Sequence, residues 1–183
     1  YKKSRAEIYF LRKFNEKNMI QRRLLLIGLI STSLSSCSSW FRPKELPKIT
    51  QIVVFKKSRK LYLYSGNKAV RSYDIDLGFS PIGDKKIEGD GKTPEGRYYI
   101  DRKNPNSAYH LSLGISYPNK KDKSEAKRLG KPPGKDIFIH GRVGFFGRRP
   151  KKDWTWGCVS VSNSDIKEIY QLVDIGTVID INP

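Results

Sequence analysis

The sequence predicts a mostly β domain, a curled sheet or sandwich with a helix packed on it late in the chain. Three observations carry this. From residue 49 onward, short runs of alternating or β-branched residues are separated by Gly, Pro, Asn and Asp. One segment near the end places apolar residues at helical spacing. No internal repeat divides the chain, and residues 38–183 have the length of one domain with one ordinary core.

The elements follow in order. QIVVFKK and KLYLYSG read as paired strands joined by a basic turn. VRSYDIDLG alternates, with Tyr73, Ile75 and Leu77 on one face. Gly89 to Gly96, GDGKTPEG, lacks the spacing and following helix of a phosphate-binding loop and reads as a tight turn. RYYI, YHLSLGI and DIFIHG are further strands, the last with Ile137 and Ile139 on one side and Phe138 and His140 on the other. The one clear helix is capped by Ser162 or Asn163, has Asp165 in its first turn, and repeats Ile166, Ile169, Tyr170 and Val173. Gly176 stops it, and TVIDI closes as a strand.

The front of the chain reads as processing sequence. Met19 is the only methionine, followed by Arg22 and Arg23, the apolar run Leu24 to Ile30 and a Ser-rich stretch. This order predicts translation from Met19, with residues 1–18 an upstream leader and 19–37 a secretory signal. The apolar run is shorter than the about 20 residues needed to span a bilayer. LSSC, ending in Cys37, resembles the lipobox of bacterial lipoproteins, which implies a lipidated Cys37, a linker over 38–48, and a periplasmic protein anchored to the outer membrane. One acyl chain anchors only marginally, so firm attachment takes more than one.

The net charge is +18, of which residues 38–183 keep +12. This favours a polyanionic neighbour such as a carboxylate-rich cell wall or an anionic lipid surface, and the export signal argues against nucleic acid. The runs Lys56, Lys57, Arg59, Lys60 and Lys120, Lys121, Lys123 are expected to be solvated surface. Two histidines and one available cysteine fall short of a zinc set, so no metal is expected.

If Cys37 is lipidated, Cys158 has no partner within the mature chain, which in an oxidising compartment points to a reactive thiol. A cysteine nucleophile needs a base, a group that orients the base, and donors for the oxyanion. His140 ends a strand before Gly141, and Cys158 follows Gly157, whose missing side chain allows close approach to backbone amides. The Gly- and Pro-containing segment from Arg142 to Trp156 is able to fold back and bring the two together.

IFIHG, DWTWGCVSV and SDIKEIYQLV, preceded by GDGKTPEGRYYI and HLSLGISYPN, resemble the L,D-transpeptidase catalytic domain, the YkuD-type fold, and within it the YafK-like branch. The resemblance runs from about Ile49 to Ile181, inside a catalytic domain read as 49–183. It implies a curled mixed β-sheet or sandwich with a helix following the catalytic cysteine. Cys158 becomes the nucleophile that forms a thioester with peptidoglycan stem peptides, and His140 the general base oriented by the Gly141 carbonyl. Gly157 and neighbouring amides are candidates for the oxyanion hole. Thr155, Gly157 and Cys158 match the family signature, while Trp156 stands where histidine is common and Ser160 where Asn or Arg is often found.

Trp156 cannot shuttle a proton, so His140 carries the acid–base duty. A lowered thiol pKa is expected from His140 and the cluster Arg148, Arg149, Lys151, Lys152. That cluster is also a candidate for holding stem-peptide carboxylates. Trp154, Tyr117 and His110 are candidates to line the groove, though packing explains each as well. No cofactor is implied. The leading expectation is transpeptidation on stem peptides. The alternatives are a related amidase or hydrolase that cleaves stem-peptide or wall-protein linkages, with a wall-linked lipoprotein as partner, and a non-catalytic wall-binding lipoprotein.

Overall fold

The computed structural model describes residues 46–142 and 151–183. Their strands are β1 (Gln51–Phe55), β2 (Lys60–Ser65), β3 (Lys68–Asp74), β4 (Gly96–Ser107), β5 (His110–Ile115), β6 (Phe138–His140), β7 (Val159–Ser160) and β8 (Val178–Asn182), with helices α1 (Lys120–Arg128) and α2 (Asn163–Leu172). One mixed sheet runs β3-β2-β1-β8-β4-β5-β6-β7. Its β1–β8 and β6–β7 pairs are parallel, and the other pairs are antiparallel. The mostly β class with a helix after the cysteine is what the sequence predicts.

Alternation builds the sheet. Ile52 and Val54 of β1, Leu61 and Leu63 of β2, and Ile179 and Ile181 of β8 all point into one core, as do Tyr73, Ile75 and Leu77. β4 pairs with β8 through its first residues and with β5 beyond register shifts after Ile100, so one long strand joins the two halves of the sheet. Bulges of this kind increase local twist. α2 lays Ile166, Ile169 and Leu172 on the core, and its N-cap is Ser162, whose Oγ accepts from the Asp165 N–H at 3.1 Å. The Asn163 side chain instead accepts from the Arg142 N–H at 2.7 Å.

The structure corrects the sequence reading in two places. α1 is a second helix, closed by a capping box in which the Asn119 side chain accepts from the Lys121 and Asp122 amides and Asp122 returns a bond to the Asn119 N–H. It buries only Asp122 and Ala126, so it has no apolar stripe for periodicity to detect. Asp122 accepts from the buried Tyr98 hydroxyl at 3.1 and 3.2 Å.

The second correction is in the first basic run. Lys56 is only 2% exposed, and its Nζ donates to Gly83 O at 2.6 Å, Thr93 O at 2.9 Å and Glu95 Oε1 at 2.7 Å. Arg59 grips both carboxylate oxygens of Asp153, at 2.8 and 2.7 Å. Lys57, by contrast, is exposed, as are Lys120, Lys121 and Lys123. Lys56→Met leaves two carbonyls and a carboxylate without their donor, so it is expected to cost about 3 kcal/mol, read from urea unfolding. A loss below about 0.5 kcal/mol would show that the lysine does not hold the 83–95 loop.

Candidate active site

His140 ends β6 and Cys158 leads into its neighbour β7. In the parallel β6–β7 pair, Ile139 faces Val159 and His140 faces Ser160, with Cys158 one residue before β7. Successive side chains alternate across a sheet, so continuing the pleat back one residue puts Cys158 on the His140 side. A second anchor comes from Asp76, whose backbone exchanges bonds with Ser160 at 2.8 Å in both directions. Neither Asp76 nor Ser160 needs a particular side chain for this, which is why the sequence gives no sign of it.

The candidate base is well defined. His140 is 4% exposed, and its Nδ1 lies 2.6 Å from Gly141 O. A carbonyl only accepts, so Nδ1 carries the proton in the neutral ring and Nε2 is left as the basic nitrogen. Burial pushes the His140 pKa below its ordinary value, partly offset by that bond. Tyr109 and Trp154 complete the setting, with ring centroids 4.6 and 5.6 Å from the imidazole. Tyr109 is a residue the sequence reading missed, because nothing in its β4–β5 turn marks it. Its neighbour His110 is exposed, with φ +75°, and is not among the residues lining the cysteine cavity.

The loop that carries Cys158 is held by Thr155. Its Oγ1 donates to Cys158 O at 2.7 Å and accepts from the Gly157 N–H at 3.2 Å. The Gly157 amide is therefore committed to Thr155 at rest. Gly157 has φ +124°, and a Cβ there would lie 2.6 Å from Lys92 O. Gly157→Ala is expected to displace the loop, lower the melting temperature and cut turnover by at least about tenfold. Unchanged kinetics and melting would refute this account of the loop.

Cys158 is half-buried and lines a cavity of about 370 Å3 with Lys85, Glu88, Gly89, Gly134, Lys135, Asp136, Ile137 and Trp156. The GDGKTPEG turn thus borders the cysteine through Gly89. Asp90 organises it, accepting from Lys85 Nζ and from the Lys86, Ile87 and Lys92 amides. Trp156 is exposed and packs edge-on against Phe79, with centroids 4.9 Å apart. Trp154 meets His140 instead, and Tyr117 is buried, donating to Pro133 O at 2.8 Å.

The expected depression of the thiol pKa is reversed at rest. Burial pushes Cys158 up, opposed by the Phe138 backbone N–H and by the charge of Lys85. Lys151 and Lys152 are exposed. Arg148, Arg149 and Cys37 lie outside the described residues, as do the leader and signal segments. Burial thus favours the neutral form of both groups, the Cys158 thiol and the His140 imidazole.

The family model described as the L,D-transpeptidase catalytic domain, YkuD, matches residues 49–181. Over 154 residues the chain is 29% identical to YafK of Escherichia coli (strain K12), covering 80% of this chain and 56% of that protein. It thus spans little more than half the length of the curated relatives it matches. Among solved structures, Pgp2 of Campylobacter jejuni, described as a helical cell shape determining protein, is 32% identical with a TM-score of 0.59, over 73% of this chain and 47% of that one. Bd1075 of Bdellovibrio bacteriovorus is 29% identical with a TM-score of 0.53, over 74% and 51%. An L,D-transpeptidase from Mycobacterium smegmatis, at 12% identity and a TM-score of 0.50 over 74% and 59%, shares the fold alone.

Proposed function

The chain belongs to the L,D-transpeptidase catalytic domain family, and from that premise we propose that it is a peptidoglycan-modifying cysteine acyltransferase acting on stem peptides. The observation that carries the reading is the register of β6 on β7, which sets His140 opposite Ser160, two positions from Cys158, together with the Gly141 carbonyl that fixes the imidazole tautomer and leaves Nε2 as the basic nitrogen. The neighbouring cavity bears both ammonium and carboxylate groups, in Lys85, Lys135, Glu88 and Asp136, a lining suited to a peptide that carries charges of both signs.

In the proposed cycle the Cys158 sulfur attacks a stem-peptide carbonyl as its proton passes to His140 Nε2. The carbon–nitrogen bond then breaks, and the imidazolium returns that proton to the departing amine. The resulting thioester is opened by an incoming amine, which makes a crosslink, or by water, which trims the stem. Both completions use the same acyl-enzyme. The same proposal places the protein in the periplasm, attached to the outer membrane through a lipidated Cys37, the motif at Leu34 to Cys37 being its support. Metabolic labelling with a fatty acid, absent in Cys37→Ala, tests the anchor.

Intact-mass spectrometry of the protein mixed with purified peptidoglycan fragments tests the reaction. An adduct of stem-peptide mass is expected, with crosslinked or shortened stems as products. The absence of both adduct and product across fragments of differing stem length and crosslinking would overturn the reading and favour a wall-binding role.

A further inference from the structure

The Cys158 thiol is held by the segment that leads into β6. Its Sγ donates to the Asp136 carbonyl at 3.6 Å, while the Phe138 backbone N–H favours the ionised sulfur. An acceptor facing a thiol stabilises S–H, and a donor facing the sulfur stabilises the thiolate. Residues 136–138 thus offer a seat for the resting proton and, two residues on, a partner for the sulfur once it has ionised.

Asp136 has φ +59°, a conformation that Asp and Asn visit more readily than most residues but that still needs support. Arg102 gives it. Its Nη2 donates to Asp136 Oδ1 at 3.0 Å, and its guanidinium lies 4.6 Å over the Phe138 ring. Nη1 is held in turn by Asp101, at 3.1 and 3.0 Å. One guanidinium on β4 therefore grips both ends of the segment that faces the thiol.

We propose that Arg102 is a positioning residue for the nucleophile: by gripping Asp136 and Phe138 it fixes the Asp136 carbonyl that keeps the proton on Cys158, so the thiol stays latent until substrate fills the cavity. The proton then passes from sulfur to His140. This rests on the reading of Cys158 as nucleophile but not on whether transfer or hydrolysis completes the cycle. The charged or titratable groups around the sulfur are the Asp136 carboxylate, whose charge raises the thiol pKa, and Lys85, Glu88 and Lys135 in the cavity wall, with His140 on the strand paired to β7.

The test is the pH profile of Cys158 alkylation by iodoacetamide, resolved from Cys37 by peptide mass mapping and needing no substrate. Removing a cation alone would raise the thiol pKa. Releasing the carbonyl lowers it, and the Phe138 N–H stays in place because Phe138 remains paired with Gly114 in the sheet. For Arg102→Gln the profile is expected to move to lower pH by about one unit, giving about tenfold faster alkylation near neutral pH. Asp136→Gly and Asp136→Asn both remove a carboxylate whose charge raises the thiol pKa, so both shift to lower pH, and Asp136→Gly, which also offers Arg102 no acceptor, is expected to shift further than Asp136→Asn, which keeps an oxygen for it.

A profile that is unmoved or shifted upward in folded Arg102→Gln and Asp136→Gly proteins overturns the proposal, and so does loss of folding in both, which would make the contact purely structural. Should Arg102→Gln alone fail to fold, the difference between Asp136→Gly and Asp136→Asn decides, and equal shifts in the two overturn the proposal. Turnover with an unmoved profile would sink this inference and leave the proposed function standing. A shifted profile without turnover on any fragment would do the reverse.

Discussion

Cys158→Ala is expected to give no acyl adduct and to lower turnover on peptidoglycan fragments by on the order of 10⁴-fold or more, as removal of a nucleophile from a positioned set does. The fold should survive, because the sulfur borders a cavity and its partners are backbone groups, the Asp136 carbonyl and the Phe138 N–H, that stay in place without it. A change in unfolding free energy within about 1 kcal/mol is expected, so lost activity will not be mistaken for lost structure. Intact mass and product analysis on matched samples provide the measurement. Full turnover by the alanine protein would exclude a cysteine mechanism.

His140 carries the second large effect. His140→Ala should reduce kcat/KM by about 10²–10⁴-fold, the usual contribution of a positioned acid–base group. Because the ring is buried against Tyr109 and Trp154, His140→Gln is needed beside it to preserve volume. The direction of the imidazole shift sets the pH dependence. With its folded pKa pushed below the ordinary 6.5, the base stays neutral on the acid side of that value. The acid limb of kcat/KM is therefore expected below pH 6.5 and should vanish in both variants. An acid limb that persists unchanged in both would assign it to another group.

Linkage gives the stability counterpart. Between the depressed folded pKa and the ordinary value the unfolded chain binds more protons at this position. The stability contributed by neutral His140 is thus fully present above pH 6.5 and falls as the pH drops below it.

The sequence made the sheet legible where alternation was strong. Ile52 and Val54, Leu61 and Leu63, and Ile179 and Ile181 announce their buried face through period-two spacing, and the structure buries all six. α1 was illegible because its buried face is one alanine and one aspartate, so a cap rather than a stripe defines it. Lys56 was read as solvated because sequence charge carries no information about three acceptors arriving from residues 83–95.

At the candidate site, Cys158, His140 and the Gly141 carbonyl were nameable from motifs. Asp136, Asp76 and Tyr109 were not. Asp136 and Asp76 act through backbone atoms, the first from a positive-φ position ahead of β6 and the second across an isolated bridge to Ser160, and Tyr109 through a turn that folds over the imidazole. The direction of the thiol shift was misjudged because counting nearby cations omits burial, which here is the larger influence.

The Asp76 carboxylate has a wider consequence. One of its oxygens accepts from Arg142 Nη2 at 3.1 Å and the other from the Asp153 N–H at 3.5 Å, so a single side chain gathers both ends of the stretch between β6 and the nucleophile loop. Arg59 braces the Asp153 end, with both of its bonds to that carboxylate under 3 Å. Arg142 and Asp153 are thus tied to one carboxylate across the sequence that separates them. Loss of the Asp76 carboxylate would therefore release the exit of β6 and the approach to the Cys158 loop in one step.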